Sequence, residues 1–337
     1  TVTIALGLVC IDSGTVGAVG TCTSSAYVAD YDSNNVSVID TSTNTVTTTI
    51  ATGNRPVDAA ITPNGTTAYI TNAAGNTVSV IDTSTNTVTA TLSGFASPRG
   101  IAITPNGTTA YVANLSTNSV LAIDLTTNTV STAASVGTNP LGIAITPNGT
   151  TAYVTNYNSN NVSVINLASN FVTTTIAVGT APYKIAITPN GTTAYVTNIN
   201  SNNVSVIDTS TNTVTTTISL GFRPSALAIT PNGATAYVID YASDSVSGID
   251  LTTNTVTTTI NVGTGPAGIA ITPNGTTAYV TNSSANSVSV IDLTTNTVTA
   301  TINVGLNPFG IALRTCAPTP TPTTAPATDP VAPAFTG

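Results

Sequence analysis

The segment Pro140–Ala181 reads PLGIAITPNGTTAYVTNYNSNNVSVINLASNFVTTTIAVGTA. It holds four short β-rich runs separated by turn signals. The first, strand A, is Gly142–Thr146, and Thr146-Pro147-Asn148-Gly149 follows it as a tight turn. Proline presets φ at the second turn position and glycine takes the left-handed one. Strands B and C are Thr151–Asn156 and Asn161–Asn166, and a turn around Ser169-Asn170 leads to strand D, Phe171–Ala177. In another strand D, Val88, Ala90 and Leu92 alternate with Thr87, Thr89 and Thr91, so one face is apolar and the other threonine.

The unit recurs. Its tyrosine falls at Tyr27, Tyr69, Tyr111, Tyr153, Tyr195, Tyr237 and Tyr279, each step 42 residues. Pro56, Pro98, Pro140, Pro182, Pro224, Pro266 and Pro308 keep the same step. Seven four-stranded units of this length predict an all-β, seven-bladed β-propeller, with an open β-solenoid as the competing architecture. The AYVTN, SVID and TPNG segments resemble those of the YVTN-repeat β-propeller family, over about residues 22–314. That resemblance implies the propeller fold and a surface-layer or other exported protein. Some related propellers are lactonase-like enzymes that use metal-binding acidic and histidine residues in the central channel. This chain has no His and no Glu, so the resemblance does not carry that chemistry over.

Ring closure is legible as well. Pro308–Arg314, PFGIALR, matches strand A, whereas the stretch 16–21 near the start does not. The C-terminal segment is therefore expected to supply strand A of the first blade, whose other strands come from residues 24–50. Cys22 and Cys316 lie 294 residues apart, seven repeats, in the same phase. A Cys22–Cys316 disulfide would replace the missing A–B turn, and a local Cys10–Cys22 clip is the alternative. The expected organisation is an N-terminal extension with a spare β-strand over 1–21, the propeller over 22–316, and a Pro/Thr-rich tail over 317–337. Thr1 reads as a processed end. Disulfides point to an oxidising, extracellular or cell-surface setting.

Composition narrows the function. The chain of 337 residues holds five Lys+Arg and thirteen acids, all Asp, for a net charge of −8. Five scattered cations argue against tracking a phosphate backbone, so no nucleic-acid partner is expected. Without His, an imidazole base or His-ligated metal is excluded. With no nucleophile motif either, no catalytic residue is assigned and the chain is expected not to be an enzyme. Nearly half of the 74 Thr, 35 of them, belong to strand D and the C–D turn before it.

Comparing the seven copies isolates candidate functional positions. The Asp residues Asp40, Asp82, Asp124, Asp208, Asp250 and Asp292 recur at the C–D turn and read as turn caps. The D–A and B–C connections vary, and they share one face of a propeller. Arg55, Arg99, Lys184 and Arg223 fall in D–A connections, and Tyr31, Tyr157 and Tyr241 in B–C connections at one repeat phase. They form a candidate ligand surface for a neutral or acidic partner such as a glycan. Asp30, Asp32 and Asn34 place oxygens at alternate positions, as the start of some calcium loops does, and are the candidate Ca2+ ligands. Ten sequons are glycosylation candidates: Asn35, Asn64, Asn106, Asn114, Asn148, Asn161, Asn190, Asn203, Asn274 and Asn282. The leading functional expectation is a structural or adhesive propeller that assembles with copies of itself through its N-terminal strand and C-terminal tail into a filament or surface layer. A ligand- or glycan-binding propeller is the alternative.

Overall fold

A computed structural model describes residues 24–221 and 223–314. They form seven four-stranded antiparallel sheets. The strands begin and end almost where the repeat places them. In the fourth blade they are Pro140–Ile145, Thr151–Asn156, Asn161–Asn166 and Phe171–Ala177. The first strand starts two residues earlier than expected, because Pro140 pairs with Asn156 across a bulge that follows it. Proline is tolerated at a strand start, where no ladder donor is needed.

The first blade joins the two ends of the described chain. Pro308–Arg314 pairs antiparallel with Ser25–Asp30, in the register Ser25 with Arg314 and Val28 with Ile311. Asn35–Asp40 and Thr45–Ala51 complete that sheet. The expected closure by the C-terminal strand is the observed one. The proposed cysteine pairing, the N-terminal strand and the Pro/Thr tail lie outside the described residues.

The AYVTN motif explains itself blade by blade. The tyrosine ring is buried and its hydroxyl donates to the C–D turn Asn of the next blade. Tyr27 reaches Asn86 at 2.6 Å and Tyr153 reaches Asn212 at 2.7 Å. The series closes on itself, since Tyr279 of the last blade donates to Asn44 of the first at 2.8 Å. Burial pushes the Tyr27 phenol up to about 12. The motif Thr ties blades together from the other side. Thr155 Oγ1 accepts from Gly142 N and donates to the Tyr183 carbonyl, both at 2.8 Å. The motif Asn works within its blade, as Asn72 Nδ2 donates to Ser79 Oγ on strand C at 2.9 Å. These tyrosines are structural bolts, each satisfying a buried hydroxyl.

The first strands surround the axis at close quarters. A Cβ on Gly310 would lie 2.6 Å from the Val57 carbonyl of the neighbouring first strand, so only glycine fits. The outermost strands carry exposed threonines over a row of half-buried or buried apolar residues, as in Thr45–Ala51. The turn aspartates behave as caps. Asp40 Oδ1 accepts from the Ser42 hydroxyl and amide at 2.6 and 2.8 Å, and these bonds hold its pKa below the ordinary carboxylate range.

Candidate functional site

A cavity of about 690 Å³ opens on the ring axis, and the first strands of all seven blades contribute to its wall. Residues of the B–C connections, among them Tyr157, Ile199 and Tyr241, form its upper wall, which puts it at the D–A/B–C mouth. The volume is that of a typical small-molecule site.

Its depth is built from three successive positions of strand A. Directly after the repeat proline stand Val57, Arg99, Leu141, Tyr183, Ser225, Ala267 and Phe309, and all seven line the cavity. The next position is Gly or Ala in five blades, but Asp58 in the second and Lys184 in the fifth. The third carries Ile101, Ile143, Ile185, Leu227, Ile269 and Ile311, an apolar layer. With about 3.3 Å of rise per residue, these are three consecutive tiers along the channel.

Asp58 and Lys184 lie on opposite sides of the ring, 126 residues apart, and meet across it with Lys184 Nζ 2.6 Å from Asp58 Oδ2. The Lys184 side chain keeps 30 % exposure and that of Asp58 16 %, toward the channel interior. Removal of Lys184 from bulk water disfavours its charged form. The Asp58 charge and hydrogen bond outweigh this and hold the lysine pKa above its ordinary value. This is the one salt bridge among the described residues. Arg99 stands one tier outward. Among the described residues its guanidinium makes no hydrogen bond or ion pair, and its buried Nε has no acceptor. The cavity thus holds Arg99, Lys184 and Arg223 against the single carboxylate of Asp58, inside a chain of net charge −8.

Of the residues singled out in the sequence, Arg99, Lys184, Arg223, Tyr157 and Tyr241 line this cavity. Arg99 and Lys184 belong to the inner strands Pro98–Ile103 and Pro182–Ile187 rather than to loops. The Arg223 guanidinium lies 5.5 Å over the Tyr241 ring. Arg55 and Tyr31 stand outside, packed as a similar pair at 5.1 Å. Tyr31 reaches the cavity indirectly, its ring 5.3 Å from that of Phe309, which lines the wall. Asp58 and Phe309 escaped the sequence reading. Comparing the second strand A position across the copies would have found Asp58, an acid where most blades carry Gly.

The loops that frame the mouth are fixed to each other. The residue before each repeat proline has positive φ, Arg55 at 56° and Arg223 at 58°. The Arg55 N–H donates to Asn34 Oδ1 at 2.8 Å, and the same bond recurs from Ser97, Asn139, Ala181, Arg223, Gly265 and Asn307.

The candidate calcium ligands Asp30, Asp32 and Asn34 each bond to a different neighbour. Asn34 is spent on the Arg55 amide, and Asp32 Oδ2 accepts from Asn307 Nδ2 at 3.0 Å. Asp30 is fully buried and accepts from Ser37 Oγ at 2.6 Å. Each oxygen set serves a different neighbour, and no group of three or more Asp, Glu, His or Cys able to hold a metal occurs among the described residues. Asp30 and Asp240 occupy the motif Asn position. Burial raises the Asp30 pKa to about 6, with the Ser37 hydrogen bond working against it, and burial raises that of Asp240 as well.

Two of the sequon asparagines are buried. Asn114 and Asn282 are the motif Asn of their blades, 2 % and 0 % exposed, so no glycosyltransferase reaches them in the folded chain. Asn35, Asn161 and Asn203 begin strand C and are half-buried, whereas Asn64, Asn106, Asn148, Asn190 and Asn274 are exposed in the TPNG turns, on the face opposite the mouth.

Comparison with known proteins agrees with this architecture. The profile of a family described as YNCE-like beta-propeller matches residues 6–319. No curated protein sequence matches the chain. Among solved structures, the hydrazine synthase of Kuenenia stuttgartiensis superposes with a TM-score of 0.71 at 24 % identity, over 77 % of this chain and 89 % of that one. A functionally unknown protein from Desulfotomaculum acetoxidans DSM 771 superposes at 0.77 and 21 % identity, over 86 % and 98 %. At these identities the likeness is one of fold.

Proposed function

The chain belongs to the YNCE-like β-propeller family, and from that premise we propose that it is a non-enzymatic binding protein that takes a small ligand in the mouth of its central channel. One observation carries this reading: three of the chain's five basic residues converge on a single axial cavity of about 690 Å³. Chance scatter of five cations over seven blades would not put three of them against one cavity. The walls suit binding better than catalysis, since Asp58 is already committed to Lys184. Ligand-detected NMR with a fragment library tests the reading. Cavity ligands should be recovered, and Ala267→Trp, which fills the wall, should abolish their signals. A library without a Trp-sensitive ligand would reject it.

A second reading, self-assembly at a cell surface, is supported by the outer strands. None of the seven carries a charged residue or proline, the usual guards of an open β edge. A β-strand from another copy would find an open ladder there. Fibres or lattices in negative-stain micrographs of native material would support it, and a strictly monomeric species in light scattering would reject it. The extracellular placement rests on the proposed Cys22–Cys316 pair. The register brings the chain, at Ser25 and Arg314, within three residues of both cysteines. Non-reducing peptide mapping that found Cys10 joined to Cys22 would overturn it.

A further inference from the structure

Four features of the axial cavity define what would complete it. Arg99 brings a guanidinium with five N–H donors and no acceptor among the described residues, its Nε already buried. A buried donor without a partner is costly, and the cost disappears when an acceptor arrives. Lys184 has three donors, of which one is bonded to Asp58. Below them lies the isoleucine and leucine tier, and beside them stand the rings of Tyr157, Tyr183 and Phe309. The missing component is an acceptor-rich anion attached to a flat or apolar body.

The charge count selects the anion. Asp58 neutralises Lys184, which leaves Arg99 as the uncompensated charge of the inner tiers, with Arg223 exposed at the rim. One negative charge balances Arg99. A dianionic phosphate would carry a second charge toward the Asp58 carboxylate. A neutral sugar would leave the guanidinium without its counter-charge and meet an apolar floor. A carboxylate also matches the planar fork of arginine.

We propose that the cavity binds a small aromatic or aliphatic monocarboxylate, its carboxylate held by Arg99 and Lys184 and its body against the apolar tier. This rests on the reading of the cavity as a ligand site and names the class of ligand. Asp58 has an opposing role in it. The carboxylate of Asp58 competes with the ligand for Lys184, so it neutralises that lysine in the empty channel and weakens binding.

Isothermal titration with matched acid and amide pairs tests this: indole-3-acetate against indole-3-acetamide, and benzoate against benzamide, with N-acetylglucosamine as a neutral sugar. The acids should bind about tenfold or more tightly than their amides, the difference expected for one charge-assisted contact. Arg99→Gln should remove that difference. Asp58→Asn should tighten acid binding, and the double variant Asp58→Asn/Lys184→Met, which removes both charges of the pair together, should weaken it. Arg55→Gln, outside the cavity, should change nothing. Amides bound as well as acids, or the sugar bound instead, would overturn the carboxylate assignment while leaving the ligand site standing. No acid bound, with cavity ligands found only among neutral fragments, would overturn it equally. Failure of every compound, fragments included, would remove the site itself. Weaker acid binding in Asp58→Asn would contradict the opposing role of that residue.

Discussion

Asp30→Asn should stabilise the protein at neutral pH. Asp30 is fully buried, its Oδ2 accepts from Ser37 Oγ at 2.6 Å, and its Oδ1 has no hydrogen-bond partner. Burial disfavours the carboxylate and raises its pKa from 3.8 to about 6. Because the folded value lies above the unfolded one, the protonated form is the one the fold prefers. The stability it confers is fully present below about pH 3.8 and is lost as pH rises through about 6. At roughly 1.4 kcal/mol per pH unit, ionised Asp30 costs on the order of 3 kcal/mol at pH 7. Asparagine carries no such penalty. It stands at the same position in five other blades, in four of which its amide donates to the strand C serine, as Asn72 does to Ser79 at 2.9 Å. Thermal melts followed by circular dichroism from pH 3.5 to 8 would read the difference. The variant should melt roughly 6 °C or more above wild type at pH 7, given 2–4 °C per kcal/mol. The gap should close toward pH 4. Identical pH profiles, or a variant less stable at pH 7, would refute the reasoning.

Three further outcomes follow from the packing. Tyr279→Phe removes the hydroxyl that joins the last blade to Asn44 of the first, and a loss of about 1 kcal/mol in urea unfolding is expected; an unchanged midpoint would mean the bolt is idle. Gly268→Ala drives a Cβ into the Phe309 carbonyl of the adjacent first strand, so its melt should fall by several degrees, and an unaffected melt would contradict the close approach of those strands. Ile311→Asp puts a charge on the core face of the closing strand, at a residue 8 % exposed. Cooperative unfolding should be lost or weakened by several kcal/mol, and a wild-type melt would mean that this strand does not seal the ring.

The architecture was readable because the same local instructions are written seven times. Proline, TPNG and alternating threonine fix turns and strand faces, and Pro308–Arg314 betrays the closure by matching strand A. The axial site was only partly readable. Arg99 and Lys184 stand out as rare charges, but period-two alternation does not say that Asp58 and Lys184 meet three blades apart. That pairing is a property of the closed circle. The surroundings of the candidate calcium ligands were hidden for a related reason. Asp30, Asp32 and Asn34 alternate along the chain, yet the strand end, the neighbouring loop and the Arg55 amide each claim one of them. Asn114 and Asn282 likewise satisfy a sequon pattern while serving as buried blade ties.

The binding account can be tested most directly by an anomalous diffraction map from crystals soaked in 4-bromobenzoate. The account predicts a bromine peak within the axial cavity, near the isoleucine tier, with the carboxylate against Arg99 and Lys184. A peak only on the outer strands or the TPNG face, or an empty cavity at saturating ligand, would contradict it.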